Sequence, residues 1–190
     1  RKYRELWKFL LAFWLYNDGI GTIIRMATIY GREVGIGQTD LIGALLLTQF
    51  VGIPFALIFA KIAGKITAKK GIYLALIIYT GITFYGYFLD SALDFWILAG
   101  IVGMVQGGAQ ALSRSLYGAM VPESKSAEFF GFFGVSSKFA AIVGPTIFAY
   151  TGQLTGSSRD GILAVASFFI LGMIFLSRVD VEKGKLEAKS

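Results

Sequence analysis

Hydrophobic residues along this chain come in long blocks separated by short polar breaks. Six stretches, at about 8–30, 40–62, 71–89, 94–119, 127–151 and 160–178, are each long and apolar enough to predict a membrane-crossing helix, since a bilayer core takes ~20 mostly apolar residues. Four contain extended charge-free windows, 41–60, 71–89, 95–113 and 139–158. The sixth has such a window at 161–177, and Asp18 and Arg25 interrupt the first. The connections are short, and only the two ends are polar enough to be tails. This pattern predicts an all-α membrane protein: a single six-helix transmembrane bundle over 1–190 with no soluble domain.

Small residues at four-residue spacing mark where these helices pack, because they let backbones approach closely. The fourth stretch carries a ridge of Ala99, Gly103, Gly107, Ala111, Ser115 and Ala119. The second has Gly52, Ala56, Ala60 and Gly64, and one side of the fifth has Gly131, Gly134, Ser137, Ala141 and Gly144. Polar groups are concentrated in the first two helices of each triplet, whereas the third and sixth carry no charge, Asn or Gln within 71–89 and 161–177. That parallelism predicts two inverted three-helix repeats.

Composition and charge sharpen the reading. The chain is 55% hydrophobic and 16% charged, with 24 glycines among 190 residues and a mean hydropathy of +0.66. Disorder is excluded by the apolar content and a disulfide scaffold by the absence of cysteine. With neither Cys nor His, no zinc site or Ser-His catalytic site is expected, and we predict neither a metal, a cofactor nor an enzyme. The net charge of +6 is a topology signal rather than a nucleic-acid footprint. Arg1, Lys2, Arg4, Lys8, Lys61, Lys65, Lys69, Lys70, Lys125, Arg178, Lys183, Lys185 and Lys189 fall on one side, against Arg32 and Arg159 on the other. By the positive-inside bias both termini are expected in the cytoplasm, and the bilayer, not nucleic acid, is the expected partner. Arg1 stands where an initiator Met would be, so a fragment or processed product is expected, without a cleavable signal peptide.

Candidate chemistry lies at membrane depth, where charge is costly and marks function. Asp18 and Lys138 each fall about 15 Å from the cytoplasmic edge, near the midplane. Gln106 and Gln49 lie at a similar level, and Gln106, Gln110 and Arg114 form a polar ridge beside the small-residue ridge. Asp18, Thr22 and Arg25 share one helix face, with Asn17 adjacent. Asn17, Asp18, Arg25, Gln49, Gln106, Gln110, Arg114 and Lys138 are therefore the candidate substrate-binding or coupling residues. Asp18 is the acidic one at depth, poised to alternate between a proton and Lys138 or substrate. Each group has a structural alternative. Arg25 and Arg114 suit snorkelling, Asp18 with Lys138 a buried pair, and the glutamines inter-helix hydrogen bonding. Gly19, Gly21, Pro54 and Gly144-Pro145 are the expected weak points of the helices.

Four blocks, in this order, resemble a known family. They are Tyr16-Asn17-Asp18-Gly19, then Gln106 through Leu116 (QGGAQALSRSL), then Pro122 with Ala127 through Phe132 (AEFFGF), and Lys138-Phe139-Ala140-Ala141 through Gly144-Pro145. The chain resembles the C-terminal half of the autophagy-related vacuolar effluxers, within the major facilitator superfamily, from Phe9 to about Arg178. The resemblance implies helices seven to twelve of a twelve-helix secondary transporter, with an N-terminal six-helix half as partner. It implies a small-molecule substrate, amino acids or similar metabolites, moved by alternating access. It implies a vacuolar membrane if fungal and a plasma membrane if prokaryotic. It also implies that the first helix of each triplet lines a central cavity and the second faces the other half, with the Gly52–Gly64 ridge. One departure stands out. The superfamily's loop pattern Gly-x-x-x-Asp-Arg-x-Gly reads here as 64–71 (GKITAKKG), with Ala68 for the acid and Lys69 left to meet a helix end or a lipid phosphate. The alternative function is a six-helix assembly module working through helix packing alone.

Overall fold

Helix boundaries follow from local chemistry. Ser91 opens α4 (Ala92–Gly118) with a capping box in which its hydroxyl accepts from the Asp94 amide and Asp94 accepts from the Ser91 amide, satisfying two otherwise orphaned donors. Ser157 caps α6 (Ser158–Ser177), and Gly156, at φ +77°, ends α5 (Ser126–Thr155) in the left-handed conformation that glycine adopts without a Cβ penalty. The remaining helices are α1 (Arg4–Glu33), α2 (Gln38–Ile66), α3 (Ala68–Tyr87) and α7 (Val181–Lys189), with a short 3₁₀ turn at Glu123–Lys125. The computed structural model describes residues 3–189, excluding the side chains of 60, 63–65 and 139–141. No strand occurs among the described residues. The calls on Arg1, Lys2, Ala60, Gly64, Lys65, Phe139, Ala140 and Ala141 lie outside the described residues or side chains.

The six apolar stretches coincide with α1–α6 to within four residues at each end. Among the described residues, four of these helices are long and apolar enough to cross a membrane, falling at Gln38–Phe59, Ala92–Gly118, Glu123–Thr155 and Ser158–Ser177. The two others, α1 and α3, carry charge: α1 has Asp18 and Arg25 mid-helix, and α3 begins with Lys69 and Lys70. The C-terminal tail, expected as a polar extension, folds into α7, which lies against the start of α1.

The helices exchange partners between triplets. Helix α1 packs against α5 and α6, while α4 packs against α2 and α3, and α3 and α6 meet each other. This last pair is clamped at both ends. Lys69 Nζ, at the start of α3, donates to the carbonyls of Ser177 (3.4 Å) and Val179 (2.7 Å) at the end of α6. At the opposite end, Arg159 at the start of α6 donates to the carbonyls of Tyr87 (2.7 Å) and Leu89 (3.0 Å) at the end of α3. It also pairs with Asp90 at 2.5 Å. Cations at helix C-termini satisfy orphan carbonyls and complement the dipole. Of the two roles expected for Lys69, the structure selects the helix end.

The small-residue ridges meet where they are deepest. A Cβ on Gly103 would stand 2.7 Å from the Thr48 carbonyl, and one on Gly107 3.0 Å from Ala56 Cβ and 3.2 Å from the Gly52 carbonyl. Thr48 Oγ1 bonds both its own helix at Ala44 O (2.9 Å) and α4 at Ala99 O (3.1 Å). This corrects one expectation. Gly52 and Ala56 of the α2 ridge are covered by α4 of the same bundle, so they do not form the free face. That face carries Phe50, Ile53 and Leu57 instead, all exposed. The lower part of the α4 ridge, Ala111, Ser115 and Ala119, is exposed rather than packed.

Candidate functional site

Helix α1 has no uniform apolar face; its interior side mixes aromatics with hydroxyl and carboxyl groups. Tyr16 is buried and its hydroxyl shares a 2.6 Å hydrogen bond with Ser113 of α4. Two positions on, Asp18 is only 2% exposed. Its Oδ2 accepts the Gly144 amide of α5 at 2.8 Å, and its backbone carbonyl accepts Thr22 Oγ1 at 2.7 Å. Its Oδ1 is buried without a hydrogen-bond partner. A glycine is required opposite: a Cβ at position 144 would collide with Thr22 Oγ1 and stand 3.0 Å from Asp18 Oδ1. Closeness of the two backbones is thus what lets an α1 carboxylate reach a main-chain donor on α5.

Beside this contact, α1, α4 and α5 border an open cleft of about 170 Å³ lined by Asn17, Gly21, Ile24, Arg25, Gln110 and Ser137. Three of the candidate residues, Asn17, Arg25 and Gln110, therefore meet. Between them they offer an amide pair, a guanidinium and, from Ser137, a hydroxyl. That set is able to hold a carboxylate and an amino group on the same small molecule. Arg25 also acts electrostatically on Asp18, seven residues earlier on the same face.

The other candidates are distributed differently. Gln106 is half-buried one turn before Gln110. Gln49 is exposed and lines a separate, apolar cavity between α1, α2, α3 and α4 with Ile24, Leu98 and Val102. Arg114 is exposed and sits over the Phe130 ring at 5.6 Å. Lys138 is exposed and makes no ion pair with Asp18, so the expected Asp18–Lys138 pairing is not formed in this conformation. The anchor of Asp18 is instead a backbone amide, a donor that every residue but proline carries and that sequence therefore does not advertise. By spacing alone Ser137 belongs to the small-residue packing side of α5. Its i, i+7 relation to Gly144 was the available signal that it shares the α1-facing side.

These features define an integral membrane protein built as a helical bundle with a polar cleft and a buried carboxylate. The chain belongs to the Atg22-like vacuole effluxer family, whose model matches residues 1–189. It is 45% identical over 182 residues to an uncharacterized MFS-type transporter, YxiO, of Bacillus subtilis (strain 168), covering 96% of this chain and 42% of that protein. It is 26% identical to autophagy-related protein 22-1 of Aspergillus terreus, covering 97% of this chain and 33% of the relative. It is 28% identical to the protein of that name from Sclerotinia sclerotiorum, covering 98% and 34%. The chain thus spans less than half the length of these curated relatives.

Proposed function

We propose that this chain is one half of a secondary active transporter that moves small metabolites, amino acids first among them, by alternating access. The observation that carries the reading is the cleft in which Asn17, Arg25, Gln110 and Ser137 converge from three helices beside the buried Asp18. An amino acid presents a carboxylate and an ammonium group. Arg25 is the carboxylate partner, and the side-chain oxygens of Asn17, Gln110 and Ser137 are acceptors for the ammonium. Asp18 supplies the proton coupling, since a buried carboxylate changes its interactions when it takes up a proton.

Several features support an inverted repeat of two three-helix units; the reading that all six helices cross the bilayer with both termini cytoplasmic rests on the apolar blocks and the Lys and Arg bias. Partner exchange between the triplets is reciprocal, and the α3/α6 clamps are built from positions 90 residues apart: 69 and 159, 87 and 177, 89 and 179. The apolar windows of α2 and α5 are only 11% and 13% buried, against 44% and 39% in α4 and α6. These two exposed helices are the surface we assign to the partnering half, because alternating access needs cavity walls from two rocking bundles.

The test is substrate counterflow in proteoliposomes with the full-length protein that contains this half. Arg25→Gln and Gln110→Ala are expected to raise the apparent KM for amino-acid exchange at least about tenfold, the effect of ~1.4 kcal/mol of lost binding. Unchanged KM in both variants, or no amino-acid exchange by soundly reconstituted wild type, overturns the cleft assignment.

A further inference from the structure

The carboxylate of Asp18 does not line the cleft; it is tied to the helix that forms one of the cleft's walls. Its Oδ2 holds the amide of Gly144, the residue immediately before Pro145. Proline has no N–H to return to the helix ladder and its ring crowds the preceding turn, so α5 is weakest at this point. Ser137 lies two turns earlier on the same helix, inside the cleft. A change in the bend at 144–145 therefore moves Ser137 relative to Asn17 and Gln110, while Asp18 stays on α1.

The surroundings isolate this contact. On α1, Arg25 acts on Asp18 electrostatically and Thr22 bonds its carbonyl. On α5 the contact is the Gly144 amide, and Lys138, its nearby cation, is exposed and unpaired with Asp18. From α6, the side chains nearest the adjoining Gly19 are the Phe169 ring and Phe168 Cβ, both apolar. Behind Phe169 the phenol of α3 Tyr79 is stacked at 5.3 Å, and toward α4 the Tyr16 hydroxyl is engaged by Ser113. Asp18 Oδ1, buried and without a partner, is the atom at which a proton changes least in the surrounding hydrogen bonds.

We infer that Asp18 is a positioning residue: its ionised carboxylate latches α5 through the Gly144 amide, and a proton on Oδ1 loosens the latch so that α5 bends at Gly144-Pro145 and shifts Ser137 in the cleft. The inference rests on the transport reading above. Charge-assisted hydrogen bonds are roughly twice as strong as neutral ones, so protonation of the carboxylate weakens the hold on Gly144 N–H. Oδ2 remains an acceptor throughout, and water supplies and receives the proton.

The test needs no substrate. This half contains no cysteine, so spin labels placed at Val135→Cys on α5 and Ile77→Cys on α3, both exposed at 51% and 58%, report only the α5–α3 distance. They are introduced in the full-length protein with any other cysteines replaced. Between about pH 5 and about pH 8 the wild-type distance distribution is expected to shift. Asp18→Asn, neutral but still an acceptor, is expected to hold the low-pH distribution at both values. Pro145→Ala restores the helix donor and is expected to abolish the shift with Asp18 intact, which keeps the test decisive if Asp18→Asn does not fold. A full pH-dependent shift in either variant, or none in wild type, overturns the inference. If the shift follows Asp18 while the same preparation moves no solute, the latch stands and the transport reading falls.

Discussion

The two proline-bearing helices, α2 and α5, expose similar amounts of apolar surface but are attached to the bundle by different chemistry. Helix α2 is seated on α4 through backbone: Gly52, Ala56, Gly103 and Gly107 interlock, and Thr48 bonds across the seam. Helix α5 is seated on α1 where a carboxylate and a hydroxyl press against Gly144. Van der Waals packing of small residues is insensitive to protons and solutes, whereas a carboxylate contact changes strength with its charge. The first seam is fixed by shape and the second is switchable. It is the second that borders the cleft.

The comparison is broken most severely by filling each seam. Gly103→Ala places a methyl against the Thr48 carbonyl, and Gly144→Ala places one against Thr22 and Asp18. Each is expected to cost about 1–3 kcal/mol in stability, read as unfolding in detergent. They separate in a second readout: the pH-dependent α5–α3 distance is retained in Gly103→Ala and lost in Gly144→Ala. Equal pH responses in the two would erase the distinction between the seams.

Smaller effects are expected at the clamps that bind α3 to α6. Arg159→Met is expected to lower the thermal midpoint more than Lys69→Met, because Arg159 holds two carbonyls and Asp90 whereas Lys69 holds two carbonyls alone. Neither is expected to alter the pH-dependent movement of α5. The reverse order of midpoints would mean that the clamps are not the source of rigidity.

The smallest effect concerns α7. Glu5 lies ahead of the apolar stretch of α1 and is buried, which pushes its carboxyl up. The Lys8 hydrogen bond at 2.7 Å and the Asp180 amide at 2.9 Å outweigh this and hold it below its ordinary value of 4.5. A depressed carboxyl stabilises the fold above its unfolded value and loses that stabilisation as pH falls through the folded one. Hydrogen exchange in α7 is therefore expected to accelerate below about pH 4.5 in wild type. In Glu5→Gln it should be fast at neutral pH as well. A flat profile in wild type would remove Glu5 as the anchor of this end.

Much of this architecture was legible in the sequence because it depends on periodicity. The six apolar blocks, the Gly103/Gly107 ridge and the special standing of Asp18 all follow from residue type and spacing. What was not legible depended on geometry between helices. The Gly52–Ala56 ridge looked like a free face because spacing reveals that a ridge packs and is silent about its partner. Lys138 looked like the partner of Asp18 because matching depth says nothing of rotation about the helix axis. A backbone amide carries no sequence signature, so the contact with Gly144 emerged only when α1 and α5 were placed together. The helical tail α7 was missed because a short, charged segment forms a helix here through docking on Glu5 rather than through an apolar stripe of its own.

The most direct test of the central claim is solute movement by the full-length protein in proteoliposomes, comparing wild type with Asp18→Asn. Amino-acid counterflow is measured at equal pH, and net flux under an imposed pH gradient. The account predicts that Asp18→Asn retains counterflow, because the cleft residues are untouched, and loses gradient-driven flux, because α5 no longer responds to protons. Full gradient-driven flux in Asp18→Asn would contradict it.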